Sequence, residues 1–406
     1  MKKVIWFINQ YSSTPETAYA GRHYYLAQEL ARQGHEVYVI AGSFSHLLRQ
    51  PKVVESDYLI EQVENNFKFI WIKLPSYENA HSKSRIFNEF RFSYKIAVLL
   101  KSLIRAPDAI VYSSPALIGY LGGKHLANFF KAKFAFEVRD PWPLTLVELG
   151  GYSVNHPFVR FLQWIEDSAY RKSDYVFSNF FNAIEHMLSR GMESDKFHWI
   201  PNGISLSEVE NKLDLDTVVK KNIPKDKFIV GYTGTLGVAN AIEYLIEAAE
   251  LVSDIENIHF LIVGDGKEKG KLKEISEAKK LKNITFIDSI PKRQVQSMLD
   301  NFDACYLGWQ KNKMYNLGIA ANKLPEYLYS GKPIIHSFSG AGDFVVQANA
   351  GFSVEAENPV QIAEAIRKVY FLSEDERLKL GLNGKKFVLE NFDYKKLAER
   401  LERILL

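Results

Sequence analysis

Short apolar runs separated by stretches of helical spacing recur along the chain, and they fall into two series. Val4 to Ile8, Val37 to Ile40, Phe67 to Ile72, Ala109 to Tyr112, Phe134 to Val138 and Tyr175 to Phe177 form the first. Each is too short for a helix and apolar on consecutive positions, as a strand covered on both faces must be. Helical stretches between most of them predict a doubly wound parallel sheet. The alternation then restarts with Phe228 to Tyr232, His259 to Val263, Ile284 to Ile287, Ala304 to Leu307 and Pro333 to His336, with helical spacing over residues 240–252, 266–280 and 322–330. Two Rossmann-like α/β halves are expected. The turn signal Pro201-Asn202-Gly203, followed by the charged stretch Glu208 to Lys227, marks the boundary. Glu374 to Leu406 reads as charged amphipathic helices broken around Asn391-Phe392-Asp393.

Composition narrows the class. A chain of 406 residues exceeds the size at which one core stops growing, which supports two domains. The hydrophobic share of 47% and charged share of 24% are those of a packed globular protein. A formal net charge of +3 is too mild to argue for nucleic acid. The single cysteine, Cys305, excludes an intrachain disulfide, argues against a thiolate metal site and fits a reducing, cytoplasmic compartment. The run Val4 to Ile8 is too short for a signal-peptide core, and no stretch approaches the roughly 18 apolar residues of a membrane-spanning helix, so membrane contact would be peripheral.

Ligands of open α/β sheets bind outside the carboxyl ends of the strands, so the loops there carry the candidate chemistry. In NKLPEYLYSG a helix starting near Asn322 would bring Asn322, Lys323 and Glu326 within about one turn. Free amides at its start and the Lys323 charge suit a phosphate, and Glu326 could accept hydrogen bonds from both hydroxyls of a ribose. In the first half, Thr17 to His23 (TAYAGRH) places Gly21 and the guanidinium of Arg22 before a helix, a second phosphate candidate. FAFEVRDPWPLTL ends a strand with Glu137, Arg139 and Asp140 beside a Pro-Trp-Pro turn; these suit either a sugar site or an ion pair bracing the turn. Gly264-Asp265-Gly266 with Gly270 has the spacing GxGxxxG after the second strand of its half, so a tight turn is the better reading than a dinucleotide fingerprint. Ser84 to Arg105 places Ile86, Phe87, Phe90, Tyr94, Ala97 and Val98 on one helical stripe with Arg85, Arg91 and Lys95 opposite. That stripe suits an anionic membrane surface or cover for the first sheet.

Lys323-Leu324-Pro325-Glu326-Tyr327 with Gly331-Lys332-Pro333 resembles the donor motif K-L-x-E-Y-x-x-x-G-x-P of retaining glycosyltransferases of family 4, in a subgroup resembling bacterial O-antigen and capsule enzymes. AGRHYYLAQELARQGHEVYVIAG (Ala20 to Gly42), IPNGIS and LIVGDGKEKGKLK are similar to further segments of that family. The resemblance implies a GT-B fold: residues 1–203 plus a returning helix over 391–406 as the acceptor-side domain, and residues 204–390 as the donor-nucleotide domain, facing across a cleft. It implies transfer of a hexose or N-acetylated sugar from a UDP-sugar to a glycan or polyprenyl-diphosphate-linked acceptor, with no metal and no cofactor. The implied donor residues are Gly21, Arg22, Gly234, Thr235, Asp288, Gly318, Ile319, Ala320, Ala321, Asn322, Lys323 and Glu326; Arg139 or Asp140 would serve the reacting centre. Two departures stand out. Gly318 occupies the position of a second family glutamate, and Thr235 and Asn240 stand where an arginine and a lysine commonly meet the diphosphate. A noncatalytic sugar-nucleotide-binding protein, an NAD-dependent oxidoreductase and a GT-B epimerase are the rival readings.

Overall fold

The computed structural model describes residues 2–18, 21–78 and 82–406. The chain divides into two compact units, the first ending at Pro201 and regaining Tyr394–Leu406, the second running Asn202–Asp393. The division falls two residues before the sequence boundary at Gly203, inside the same Pro-Asn-Gly turn.

The first unit contains an eight-stranded sheet. Its strands are β1 (Val4–Ile8), β2 (Glu36–Gly42), β3 (Tyr58–Glu64), β4 (Phe67–Ile72), β5 (Ala109–Ser113), β6 (Lys133–Val138), β7 (Tyr175–Ser178) and β8 (Phe197–Trp199). They lie in the order β3-β4-β2-β1-β5-β6-β7-β8, all parallel except the β3/β4 hairpin. Successive side chains of a strand point to opposite faces, and here both faces are buried. Trp6, Ile8, Tyr112 and Phe136 enter one core and Ile5, Phe7, Val111 and Ala135 the other. The second core is completed by the helix Tyr394–Leu405, whose Leu397, Leu401 and Leu405 are buried with Leu26 and Leu30 of the helix Arg22–Arg32. Tyr394 stacks on Tyr25 at 5.0 Å.

The second unit contains six parallel strands, β9 (Phe228–Thr233), β10 (Ile258–Val263), β11 (Ile284–Ile287), β12 (Ala304–Gly308), β13 (Ile334–Ser337) and β14 (Gly351–Val354). Their order β11-β10-β9-β12-β13-β14 is the Rossmann order, and the first sheet follows it too once the β3 hairpin is set aside. The order reverses between β1 and β5 in one sheet and between β9 and β12 in the other, which marks where ligands enter.

Three strands depart from the sequence expectation. β3 alternates half-buried and exposed positions at the sheet edge, so it lacks the continuous apolar run of a central strand. β8 and β14 are three and four residues of intermediate burial. The helix Lys83–Leu103 also turns differently from its predicted stripe. It covers the first sheet with Asn88, Glu89, Phe92, Ser93, Ile96 and Leu100, while Phe87, Phe90, Tyr94 and Val98 face solvent. Small and polar residues at the buried face made the more hydrophobic outer stripe look like the core side.

Candidate active site

The helix Lys323–Tyr329 places Lys323 and Glu326 one turn apart. Pro325 is its third residue, where the missing N–H would have had no intrahelical partner. Tyr327, one turn on from Lys323, ties the helix to β9. Its hydroxyl accepts from Thr233 N at 2.8 Å and donates to Thr233 O at 3.0 Å. Fully buried, this pair fixes the helix start against the strand end.

Lys323 lies at the switch point of the second sheet. Its Nζ donates to Tyr232 Oη at 2.9 Å and to Asn240 Oδ1 at 2.5 Å. It sits 4.6 Å from the Tyr232 ring centroid and 5.7 Å from that of Trp309, the residue after β12. No carboxylate pairs with it among the described residues, and burial lowers its amine to about 7. Gly234 permits this approach. Its φ is +148°, and a Cβ there would stand 2.8 Å from Lys323 Cδ.

Glu326 is held from a segment that sequence reasoning did not single out. Its carboxylate pairs with Lys292, and its main-chain oxygen accepts from Gln296 Nε2 at 3.2 Å. Asn202, in the turn that opens the second unit, donates to Ala320 O and to Asn322 Oδ1, both at 2.9 Å. That clamp fixes the stretch before the helix, where no hydrogen bond among the described residues engages the N–H of Ile319, Ala320, Ala321, Asn322 or Lys323. Gly318, with φ of +103°, ends the preceding 3₁₀ turn.

The other predicted donor residues are placed as follows. The Thr235 carbonyl accepts from Tyr232 Oη at 2.7 Å and from Asn240 Nδ2 at 3.0 Å, so it orders both groups that touch Lys323. Asp288 is exposed and shares Lys269 with Asp265. The glycine pair Gly264 and Gly266 answers a packing need: a Cβ at Gly264 would stand 1.9 Å from Gly234 O, and one at Gly266 2.1 Å from Leu236 O. Their backbones approach the loop after β9.

In the first unit, polar groups gather at the carboxyl end of β6. Glu137, 1% exposed, accepts from Ser113 Oγ at 2.5 Å and meets His23 Nε2 at 2.7 Å and an Arg22 guanidinium nitrogen at 3.1 Å. Arg22 is itself buried and donates to Ile200 O at 2.8 Å. Its charge is engaged inside its own unit. Of the predicted loop Thr17 to His23, positions 19 and 20 lie outside the described residues; Gly21 caps the helix with extended backbone. Desolvation opposes ionisation of Glu137, yet Arg22, His23 and Arg139 together hold it far below the usual carboxylate range. Burial pushes His23 below its ordinary value. Arg139 Nε is buried without a hydrogen-bond partner among the described residues. The two Asp140 oxygens accept from Trp142 Nε1 at 2.8 Å and Thr145 Oγ1 at 2.5 Å, which braces the Pro-Trp-Pro turn.

Lys292, Asn202, Tyr232, Trp309 and His23 were the residues missed. Their only signals were a turn dipeptide, a loop lysine and aromatics at strand ends.

Residues 22–208 match the family model Glycosyltransferase Family 4, and residues 216–387 match Glycosyl transferases group 1. Fold and matched domains together define a two-domain glycosyltransferase of GT-B architecture. The chain is 25% identical over 320 residues, 77% of each chain, to the putative colanic acid biosynthesis glycosyl transferase WcaI of Escherichia coli (strain K12). Among solved structures it resembles sucrose-phosphate synthase from Thermosynechococcus elongatus, with a TM-score of 0.73 at 17% identity over 99% of this chain and 98% of that one. It also resembles Anabaena HepE in complex with UDP and glucose, with a TM-score of 0.66 at 13% identity over 99% of each chain.

Proposed function

We propose that this glycosyltransferase moves a hexose or N-acetylated sugar from a UDP-sugar, with retention at the anomeric carbon, to a glycan or polyprenyl-diphosphate-linked acceptor in surface polysaccharide synthesis. The observation that carries the reading is the helix Lys323–Tyr329 at the switch point of the second sheet. It presents a cation and, one turn on, a carboxylate held by Lys292. In this reading Glu326 accepts hydrogen bonds from the ribose and Lys323 meets the diphosphate, aided by the unengaged N–H groups before it. Arg139 offers its guanidinium to the reacting centre in the acceptor-side unit, and Arg22 positions Glu137. The UDP bound by HepE and the colanic acid role in the name of WcaI support the donor and the pathway.

No described helix is long and apolar enough to cross a membrane. The outer stripe of the helix Lys83–Leu103 supports peripheral contact with an anionic bilayer. Phe87 is 61% and Tyr94 70% exposed, and Phe90 stacks on Phe161, which stacks in turn on the exposed Trp164. Lys83 and Arg91 add exposed charge on the same helix.

A thermal-shift screen of UDP- and GDP-sugars tests the donor, because a ligand of the native state alone raises apparent stability. Stabilisation by a UDP-sugar, with an α-linked product from an α-linked donor, is expected. Stabilisation by NAD with no effect of UDP refutes the reading in favour of an oxidoreductase. Binding without turnover across an acceptor panel points to a noncatalytic binder, and UDP release with an altered free sugar to an epimerase.

A further inference from the structure

The Glu326 carboxylate is held by a segment that is itself braced. Lys292 pairs with the carboxylate, and Gln296 donates to the Glu326 main-chain oxygen at 3.2 Å. The 3₁₀ turn Lys292–Gln294 and the helix Val295–Leu299 that follows it thus fix side chain and backbone together. The segment is tied in turn to residues 211–216. Arg293 donates to Asn211 O at 2.9 Å and its own carbonyl accepts from Leu213 N at 2.8 Å. Gln294 Nε2 donates to Asp214 O at 2.9 Å and to Asp216 Oδ1 at 3.1 Å, and Ser297 Oγ donates to Leu213 O at 2.7 Å. Lys292 therefore reaches Glu326 from an anchored backbone.

No other hydrogen bond or ion pair engages the Glu326 carboxylate among the described residues. A glutamate side chain has several staggered settings, and Lys292 is the contact that selects one of them here. A carboxylate offers about four acceptor sites, so beyond Lys292 it can still accept from both hydroxyls of a cis diol. Its side chain is 12% exposed, which leaves an open edge for them.

We propose, resting on the donor reading above, that Lys292 is a positioning residue that sets the sugar specificity of the nucleotide site. It holds the Glu326 carboxylate in one orientation, so the preference for a ribonucleoside over its dideoxy counterpart depends on a lysine that acts through Glu326. An incoming ribose then meets an acceptor already ordered, and the entropy of fixing that side chain is not charged against binding.

The test is calorimetric titration of uridine, 2′,3′-dideoxyuridine and UDP with wild type, Lys292→Met, Lys292→Arg, Glu326→Ala and the Lys292→Met/Glu326→Ala double variant. Wild type should bind uridine more tightly than the dideoxynucleoside. Lys292→Met is expected to shrink that preference about two- to tenfold, the range for re-immobilising one such side chain, with dideoxyuridine affinity unchanged and UDP losing the same factor as uridine. Lys292→Arg, which keeps the charge, should restore the preference. In the Glu326→Ala background Lys292→Met should cost uridine nothing further. If Lys292→Met does not fold, Lys292→Gln carries the same comparisons. An unchanged preference, a further loss in the double variant, or a larger loss for UDP than for uridine, as direct phosphate contact would give, overturns this inference alone. Uridine affinity unmoved by Glu326→Ala overturns the donor reading with it.

Discussion

Replacing Glu137 by glutamine keeps the shape of a side chain that is 1% exposed and removes its charge. In the native unit that carboxylate accepts from Ser113 and lies 2.7 Å from His23 and 3.1 Å from Arg22, with the Arg139 charge also acting on it. Burial keeps His23 below its usual value, so the arginines carry the positive charge that Glu137 offsets. Glutamine takes the carboxylate charge away from Arg22, itself 2% exposed. Breaking one partner of a buried ion pair costs about 3–5 kcal/mol. For a unit of this size each kcal/mol lowers the melting temperature by roughly 2–4 °C, so a fall of about 6–20 °C is expected at pH 7.5. Scanning calorimetry reads it, with UDP added to identify the transition of the second unit. The sign with pH is fixed: a depressed carboxylate stabilises above its unfolded pKa and loses that contribution as pH falls towards the folded value. The gap between wild type and Glu137→Gln should be full above about pH 5 and shrink in acid. A fall below about 2 °C at pH 7.5, or a gap that does not change in acid, refutes the assignment of Glu137 as the charge that holds this cluster.

Glu326→Ala should weaken UDP and uridine by the same factor, roughly 10- to 150-fold for about 1.5–3 kcal/mol of charged hydrogen bonding, and unchanged affinity by titration would remove its ribose role. Glu89 is pushed up to about 7 by burial, so its neutral form stabilises the fold below pH 4.5 and that contribution is lost as pH rises through 7. Glu89→Gln should therefore be more stable than wild type above pH 7.5, by up to about 3 kcal/mol in urea unfolding, and equal to it near pH 4. Phe87→Asp with Tyr94→Asp should cut sedimentation with anionic vesicles about tenfold and leave the melting temperature unchanged, because both residues face solvent. Equal sedimentation would remove that helix from the membrane reading.

What the chain discloses about itself follows from how local each feature is. Central strands such as Phe134 to Val138 and Ile258 to Val263 are covered on both faces and stand out as unbroken apolar runs. The edge strand Tyr58–Glu64 is half exposed and pairs antiparallel with a neighbour, so its residues carry no such run. Lys323 and Glu326 share a helix turn, and spacing alone unites them. Lys292 reaches Glu326 from a 3₁₀ turn 34 positions earlier in the chain, and Asn202 reaches Asn322 across 120 positions. Those meetings are products of strand order, which no window of sequence contains. Asn240 is the most instructive case. In the motif it reads as a missing cation, and in the folded site its amide oxygen receives the lysine. In the Gly264-Asp265-Gly266 turn both glycines make room for backbone of the loop after β9, a contact that the glycine spacing alone does not disclose.

The helix Tyr394–Leu405 has a consequence for how the protein is made. On the ribosome, the first unit emerges with one of its two cores open on the side where Leu397, Leu401 and Leu405 will lie. All of Asn202–Asp393 must then be synthesised before that surface can close. The nascent first unit therefore spends the time of nearly two hundred peptide bonds, about 10–40 s at ordinary elongation rates, with an unsealed apolar face. A stop codon just before Tyr394 would spare every donor-site residue and yet release a chain whose other half is the one that fails.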